Sequence, residues 1–285
     1  MINFICPLCS SKKFTDSWLK LSFKENQFKY LDCIECRSLI CSPMPDEELL
    51  RQMYDSTYCE NSDESGEDNS LKKFTQVLDF VETLEKGRFI DYGCGDGKLL
   101  RKIQAMNWDV LGIEFNPDFA AELKKDGIKI ISYLEEPPYQ ADVLHLGDVL
   151  EHLTDLDNQF PQILKLLKEG GYLIAHGPLE GNPNFFCQML KLGKKFMRNK
   201  VLEMAPFHVI LATSKGQRSL FERFDLKEEE FQVNEVAFPA AEHISFRDLN
   251  DIRKTGLFVI RKVSQITSSL DMKNLGNRYF YVGKK

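Results

Sequence analysis

The chain has 285 residues, of which 43% are hydrophobic and 28% are charged. This composition excludes a disordered or fibrous protein, and the length corresponds to about two domains with a substantial core. The 37 basic and 43 acidic residues leave a net charge of −6. That charge argues against a protein that wraps nucleic acid, because such proteins usually carry a basic face.

No apolar run in the chain approaches the roughly 18 residues that a membrane-spanning helix needs. The amino terminus also lacks the basic segment and the apolar segment of a secretory signal. We therefore expect a cytoplasmic protein in reducing conditions, where the eight cysteines should not be paired as disulfides.

Two matched cysteine pairs stand near the amino terminus: Cys6 with Cys9, and Cys33 with Cys36. Two Cys-x-x-Cys turns can place four thiolates at the corners of a tetrahedron, which is the closed ligand set of structural zinc. A segment this small has little core of its own, so the metal would contribute much of its stability. We predict a zinc-ribbon-like module over residues 1–45, with a lost metal site as the alternative. Cys41 is expected to be a buried apolar residue rather than a fifth ligand.

Residues 46–70 read as a short helix followed by a linker. Asp46 has the residue type of an N-cap, two glutamates follow it, and the apolar positions predict a helix over Asp46–Tyr58. Residues 59–70 carry five acids and no base, which is typical of a solvated linker or loop.

From residue 71 onward, short apolar runs alternate with helical periods, a pattern typical of a parallel sheet covered by helices. The segment Ser132–Gln140 contains two adjacent prolines, so we expect no helix there. The predicted strands are Arg88–Tyr92, Asp109–Glu114, Ile128–Ile131, Ala141–Leu146, Gly171–His176, Phe231–Val236 and Arg278–Val282. The predicted helices are Lys72–Glu85, Lys98–Met106, Pro117–Lys125, Asn158–Lys168, Thr213–Phe224 and Leu249–Ser269.

A glycine-rich turn follows the first of these strands. Asp91 precedes Gly93, Gly95 and Gly97, which alternate before the helix that begins at Lys98. Glycine lets the backbone turn sharply and lets a ligand lie against it, and the helix N-terminus offers free N–H groups to an anion. The spacing differs from the dinucleotide fingerprint and from the phosphate-binding loop. The acid beside the turn suits a ligand with an ammonium group better than one with a pyrophosphate.

Glu114 ends the next predicted strand, 19 residues after Gly95. An acid at the tip of the second strand of such a sheet can accept two hydrogen bonds from a ribose diol. A solvated acid at the end of a strand is the alternative. Taken with the turn, Glu114 indicates a ligand that carries a ribose.

Together these residues resemble the class I S-adenosylmethionine-dependent methyltransferases. The resemblance covers residues 70 to 285 and is carried by the stretches Asp91–Gly97, Gly112–Pro117, Asp148–Leu153, Glu169–Ile174 and Phe207–Thr213. It implies an α/β fold in a domain over residues 71–285, with a seven-stranded Rossmann-like sheet in the order 3-2-1-4-5-7-6 and strand seven antiparallel. The amino-terminal module is similar to that of methyltransferases found with sugar and polysaccharide biosynthesis.

The resemblance also implies a site for S-adenosylmethionine. Its methionine part would be held by Asp91 and the glycine turn, its ribose by Glu114, and its adenine by Phe115 with Tyr133 and Leu134. Asp148 would lie beside the methyl group. The implied cofactor-binding residues are Asp91, Tyr92, Gly93, Cys94, Gly95, Gly97, Glu114, Phe115, Tyr133, Leu134 and Asp148.

A hydroxyl or carbon-acid acceptor needs a base, and histidine is the obvious one near neutral pH. We take His152, His176 and His208 as candidate bases, and Asp148 as a further catalytic candidate, because the resemblance places them near the carboxyl ends of strands four and five. His145 is expected to be structural, and His243 is peripheral. The choice between the three histidines stays open.

Residues 184–202 mix apolar and basic side chains, which indicates a lid over the acceptor site. An interfacial helix that meets anionic lipid, or a nucleic-acid contact, is the alternative. The acceptor expected from these features is a small molecule such as a nucleotide-linked or lipid-linked sugar, with weak contact to a membrane surface as an option. An RNA methyltransferase and a non-catalytic cofactor-binding or partner-binding module are the other functions considered, and the acidic charge argues against the first.

Overall fold

The computed structural model describes residues 4–53, 67–133, 135–185, 187–189, 201–236, 251–270 and 275–285. Its strands are β1 (Phe14–Phe23), β2 (Asn26–Cys33), β3 (Leu39–Ser42), β4 (Arg88–Tyr92), β5 (Asp109–Ile113), β6 (Ile130–Ile131), β7 (Ala141–Gly147), β8 (Leu167–Pro178), β9 (Leu202–Glu203), β10 (Ile210–Leu211), β11 (Lys227–Asn234) and β12 (Arg278–Lys284). Its helices are α1 (Glu47–Met53), α2 (Glu67–Glu82), α3 (Lys98–Ala105), α4 (Pro117–Lys125), α5 (Leu156–Leu164), α6 (Ser214–Arg223) and α7 (Ile252–Ser269), with a 3-10 turn at Leu150–His152.

The chain divides into two compact units. The first consists of Met1–Met44, Gly177–Arg223 and Phe231–Tyr279, and the second of Pro45–His176, Phe224–Glu230 and Phe280–Lys285. The expected amino-terminal module falls in the first unit, but it shares that unit with two later segments that were assigned to the domain over 71–285. The domain boundaries themselves stay a prediction.

The first unit contains a five-stranded sheet in the order β10-β3-β2-β1-β9. Strands β1 and β2 form an antiparallel hairpin, whose tight turn has Lys24 in the left-handed region. Strand β3 continues the antiparallel pairing, and β10 pairs with β3 through Ile210 opposite Ile40. The four-cysteine module is therefore part of a larger sheet, completed by two short strands that the sequence did not predict.

The second unit contains most of a seven-stranded sheet in the order β11-β12-β8-β7-β4-β5-β6. Strands β6, β5, β4, β7 and β8 pair in parallel. Strand β12 runs antiparallel to β8, because the start of β8 at Gly170 and Gly171 exchanges backbone hydrogen bonds with Lys285 at the end of β12. Counted along the chain with β4 as strand one, this is 3-2-1-4-5-7-6 read from the opposite edge. The α/β class with a mostly parallel sheet is confirmed.

The sheet differs in detail from the expected elements. The third strand is reduced to Ile130–Ile131. Strand β8 begins at Leu167, so the helix expected over Asn158–Lys168 is wrong at its end and stops at Leu164. The strand expected at Phe231–Val236 lies earlier, at Lys227–Asn234. The helix expected over Asp46–Tyr58 is described as Glu47–Met53, and residues 54–58 lie outside the described part.

The main core of the second unit lies between one face of the sheet and helices α2, α3 and α4. Each fully buried aliphatic or aromatic side chain of this core contributes about 1.5–3 kcal/mol. No helix in the described ranges is long and apolar enough to cross a membrane. The core includes Val77, Val81, Phe89, Leu99, Leu100, Ile103, Val110, Leu123, Val143, Ile174 and Phe280.

Candidate active site

The glycine turn joins β4 to α3 at the carboxyl edge of the parallel sheet. Gly95 and Gly97 both have left-handed φ angles, of 54° and 70°. A Cβ atom on Gly97 would lie 2.3 Å from Leu123 Cδ2, whereas a Cβ on Gly95 would meet nothing within 4 Å. Glycine at position 97 is favoured by its left-handed φ and by the buried Leu123 side chain beside it, and the backbone at Gly95 is open to close approach by a ligand.

Glu114 follows β5 and is 9% exposed. Its Oε2 accepts a hydrogen bond from the Gly95 N–H at 2.6 Å, and its Oε1 accepts from the N–H groups of Phe115 and Asn116 at 2.8 and 2.7 Å. The carboxylate thus ties the glycine turn after β4 to the turn after β5. Burial raises the pKa of the Cys94 thiol, and the Asp91 and Glu114 carboxylates add to the rise, so Cys94 stays a neutral thiol in this turn.

Three aromatic rings line the site beside Glu114. Phe115 and Tyr133 stack with their centroids 4.8 Å apart, and Tyr92 meets Phe115 edge-on at 5.5 Å. Phe115 and Tyr133 are 49% and 50% exposed, which is unusual for large apolar rings. Because the two rings stack on each other, a purine ring could stack on the outer face of the pair. Leu134, the other residue expected at the adenine, lies outside the described residues.

Asp91 lies two residues before the turn and is buried, with 3% exposure. Its Oδ1 is 2.6 Å from Nδ1 of His145, the residue opposite it on β7. The His145 ring in turn packs against the ring of His176 on β8, with centroids 5.0 Å apart. We expected His145 to be structural from the sequence, but its contact with Asp91 was not predicted.

The loop after β7 carries two of the catalytic candidates. Asp148 has a φ of 53°, and its N–H donates to the carbonyl of His176 at 2.9 Å. The next residue, Val149, lies where a Cβ on Gly93 would approach to 3.1 Å, so this loop adjoins the glycine turn. The His152 side chain is 19% exposed and its Nε2 lies 4.0 Å from Glu151 Oε1. His176, at 4% exposure, is the more enclosed of the second unit's two candidate histidines.

His208 belongs to the first unit and has a carboxylate partner. Its Nδ1 lies 2.8 Å from Oε2 of Glu180, and the two side chains are 33% and 41% exposed. Its carbonyl accepts a 2.7 Å hydrogen bond from the hydroxyl of Tyr30 on β2. A histidine oriented by a carboxylate is the usual arrangement of a general base. Glu180 had no spacing signal in the sequence, because it is 28 residues away along the chain.

The four paired cysteines come together in the first unit. Cys6 Sγ lies 3.7 Å from Cys36 Sγ, Cys9 Sγ lies 3.6 Å from Cys33 Sγ, and all four sulfur atoms are within 4.8 Å of one another. Each Cys-x-x-Cys turn is followed by a residue in the left-handed region, Ser10 or Arg37. The two turns therefore have the same local geometry and face each other. Cys41 is buried in β3 and is not part of this cluster.

The thiols of this cluster are strongly coupled. A hydrogen bond with Cys36 and then burial raise the pKa of Cys6, while the same bond lowers the pKa of Cys36 to about 5. Burial raises the pKa of Cys9 to about 11. Without a cation, only one partner of the Cys6–Cys36 pair can ionise readily, because two thiolates at this distance repel each other.

Three predicted features lie wholly or partly outside the described residues. Residues 190–200 of the expected lid are among them, as are His243 and most of the acidic linker. The expected linker is wrong at residues 67–70, which form the first turn of α2. The rest of the linker and the lid stay predictions.

The family model described as a methyltransferase domain matches residues 69–255. No curated protein matches the chain. Among solved structures, an S-adenosylmethionine-dependent methyltransferase from Archaeoglobus fulgidus is 16% identical, with a TM-score of 0.49, 81% of this chain and 100% of that chain covered. The N-methyltransferase NodS from Bradyrhizobium japonicum is 13% identical, with a TM-score of 0.44 and coverages of 77% and 97%. The plantazolicin methyltransferase BpumL, bound to S-adenosylhomocysteine, is 15% identical, with a TM-score of 0.48 and coverages of 83% and 94%.

Proposed function

The chain belongs to the methyltransferase-domain family, and from this premise we propose that it transfers a methyl group from S-adenosylmethionine to a small acceptor, with a sugar or glycan precursor as the acceptor class. The observation that carries the proposal is the Glu114 carboxylate bonded to the N–H of Gly95 beside an exposed aromatic wall. A nucleoside that carries an amino acid needs three kinds of group from the protein. Glu114 offers an acid to its ribose, the Phe115–Tyr133 pair offers an aromatic face to its base, and the open backbone at Gly95 lets it approach closely.

The proposed cofactor contacts follow from the chemistry of these groups. Glu114 would exchange part of its contact with the turn for the two ribose hydroxyls, and the outer face of the Phe115–Tyr133 stack would pack against the adenine. Asp91 supplies negative charge for the ammonium of the methionine part. When bound, S-adenosylmethionine supplies a methyl group already activated on a sulfonium, so these residues need only bind and orient it.

The acceptor side needs a group that removes a proton if the acceptor is a hydroxyl. His152, His176 and His208 stay our candidates, and Asp148 is a further one. The contact between His208 and Glu180 supports His208, because a carboxylate at Nδ1 orients the ring and stabilises the imidazolium that forms when a histidine accepts a proton. His176 is supported less, since its ring is enclosed.

Charge and sequence similarity support the proposed acceptor class. The net charge of −6 favours a small molecule over RNA. The similarity of the amino-terminal module to those of polysaccharide methyltransferases favours a nucleotide-linked or lipid-linked sugar. A cytoplasmic location also stays a prediction.

We propose in addition that the four clustered cysteines bind one structural zinc ion. A tetrahedral site with Zn–S bonds of about 2.3 Å has sulfur–sulfur edges of about 3.8 Å. The two measured Sγ–Sγ distances, 3.7 and 3.6 Å, are close to that edge, so the residues fit the ion. Four cysteine ligands close the coordination sphere, so this zinc would support the fold and would not activate water.

Titration calorimetry with S-adenosylmethionine and S-adenosylhomocysteine tests the cofactor. We expect both to bind, and we expect Glu114→Ala to weaken binding by about 1–3 kcal/mol, because a charged hydrogen-bond partner is lost. Glu122→Ala, on the exposed surface of α4, removes the same charge nearby and should leave affinity unchanged. Wild-type protein that binds neither ligand would overturn the proposed function.

A further inference from the structure

Asp91 and His145 form a buried pair beneath the glycine turn. Their side chains are 4% and 3% exposed, and Nδ1 of His145 lies 2.6 Å from Oδ1 of Asp91. They are opposite each other on the adjacent strands β4 and β7, so the contact is built into the register of the sheet. A carboxylate held at one oxygen cannot rotate freely, which fixes the direction of its other oxygen.

The other ring nitrogen of His145 indicates its protonation. Nε2 is buried and has no hydrogen-bond partner within the described part of the chain. A buried N–H without an acceptor is less tolerable than a buried lone pair without a donor. Nδ1 therefore carries the single ring proton and donates a hydrogen bond to Asp91 Oδ1, while Nε2 is unprotonated. A neutral His145 leaves the full negative charge on Asp91.

The neighbours of His145 hold its ring in this orientation. Phe89 stacks on it with centroids 6.1 Å apart and an angle of 23° between the planes. On the other side lies the His176 ring, and a Cβ on Gly147 would come within 2.8 Å of both histidine rings. Gly147 thus leaves the space that lets the two rings pack. The ring is therefore fixed by packing as well as by its bond to Asp91.

We propose that His145 is a positioning residue for the cofactor: its Nδ1–H orients the charged Asp91 carboxylate toward the ammonium group of S-adenosylmethionine. This inference rests on the proposed function, since it assumes that the cofactor binds at the glycine turn. It predicts that His145 affects recognition of the amino-acid part of the cofactor and not of the nucleoside part. A purely structural role for the pair would affect both parts alike.

The test compares ligands with and without the amino-acid part in a matched pair of variants. His145→Asn keeps a donor near the Nδ1 position, whereas His145→Leu has nearly the same size and no donor. We expect His145→Leu to bind S-adenosylhomocysteine at least about tenfold more weakly than wild type, since a hydrogen bond to a charged group is lost. His145→Asn should stay within about threefold. Both should bind 5′-deoxy-5′-methylthioadenosine, which lacks the amino acid, as wild type does in ligand-observed NMR.

If His145→Leu does not fold, His145→Phe replaces it, because that variant keeps an aromatic ring against Phe89 and removes only the donor. Nitrogen-15 NMR of wild-type protein gives an independent readout, in which His145 should show a proton on Nδ1 and none on Nε2. Equal weakening of both ligands, unchanged affinity in the donor-free variants, or a proton on Nε2 would overturn the inference. Failure of wild-type protein to bind S-adenosylhomocysteine would instead overturn the proposed function.

Discussion

Loss of the proposed zinc ion should destabilise helix α6, because the Cys33–Cys36 turn is hydrogen-bonded to the N-terminal end of that helix. Thr213, directly before α6, donates its hydroxyl to the carbonyl of Cys36 at 2.5 Å, and its N–H donates to Ser38 Oγ at 3.0 Å. Lys215 donates to the carbonyl of Glu35 at 2.7 Å. The turn that holds half of the proposed zinc ligands therefore anchors the start of this helix.

The size of the effect follows from these bonds. Thr213 and Ser38 are buried, at 4% and 0% exposure. Each of the two hydrogen bonds that Thr213 donates, to the Cys36 carbonyl and to Ser38 Oγ, therefore contributes about 1 kcal/mol. The exposed Lys215 bond contributes less. Gly216 is also packed against the turn, since a Cβ there would lie 2.3 Å from Ser38 Oγ. We expect metal loss to destabilise α6 by about 2–4 kcal/mol, which corresponds to faster amide exchange by about 30-fold to 1000-fold.

Hydrogen exchange followed by mass spectrometry measures the stability of α6. The samples are wild-type protein with and without a zinc chelator, and the variant Cys36→Ser. Exchange should accelerate in Ser214–Arg223, while β4 and β5 of the second unit keep their protection. Cys187→Ser, which removes a cysteine outside the cluster, serves as the control and should retain about one zinc per chain. Unchanged exchange in α6 after metal loss would refute the coupling. Protein purified without chelator that contains no zinc would refute the metal site itself.

Sequence reasoning predicted the parts of this fold that depend on local pattern. The helix over Pro117–Lys125 was predicted with its observed bounds. In the structure Asn116 caps it and Pro117 begins it, so its start is fixed by local signals. The strand Arg88–Tyr92 was equally clear, since an apolar run ends at the glycine turn. The cysteine cluster was predicted from spacing alone.

Contacts between distant residues were beyond the same reasoning. Ile210 pairs with Ile40 in the five-stranded sheet, but a two-residue strand has no periodicity to detect. The bond between His208 and Glu180, and that between His145 and Asp91, join residues whose types are common and whose spacing is uninformative. Register and topology bring such pairs together, so their roles became visible only with the structure.

Two further predictions concern the glycine turn and the candidate bases. Gly97→Ala should lower the free energy of unfolding by about 1–3 kcal/mol more than Gly127→Ala in urea melts, because both have positive φ but only Gly97 would place a Cβ against Leu123. Equal losses would mean that backbone strain alone matters there. Once an acceptor is known, alanine at the true base should lower single-turnover methyl transfer by about 10²–10⁴ and leave cofactor affinity nearly unchanged, since the base acts only on the acceptor. The variants are His152→Ala, His176→Ala and His208→Ala. If His208→Ala and Glu180→Leu both lose activity while the other two histidine variants keep it, the carboxylate-oriented His208 is the base. Near wild-type rates in all three would mean that transfer needs no histidine and proceeds by alignment or through a carboxylate such as Asp148.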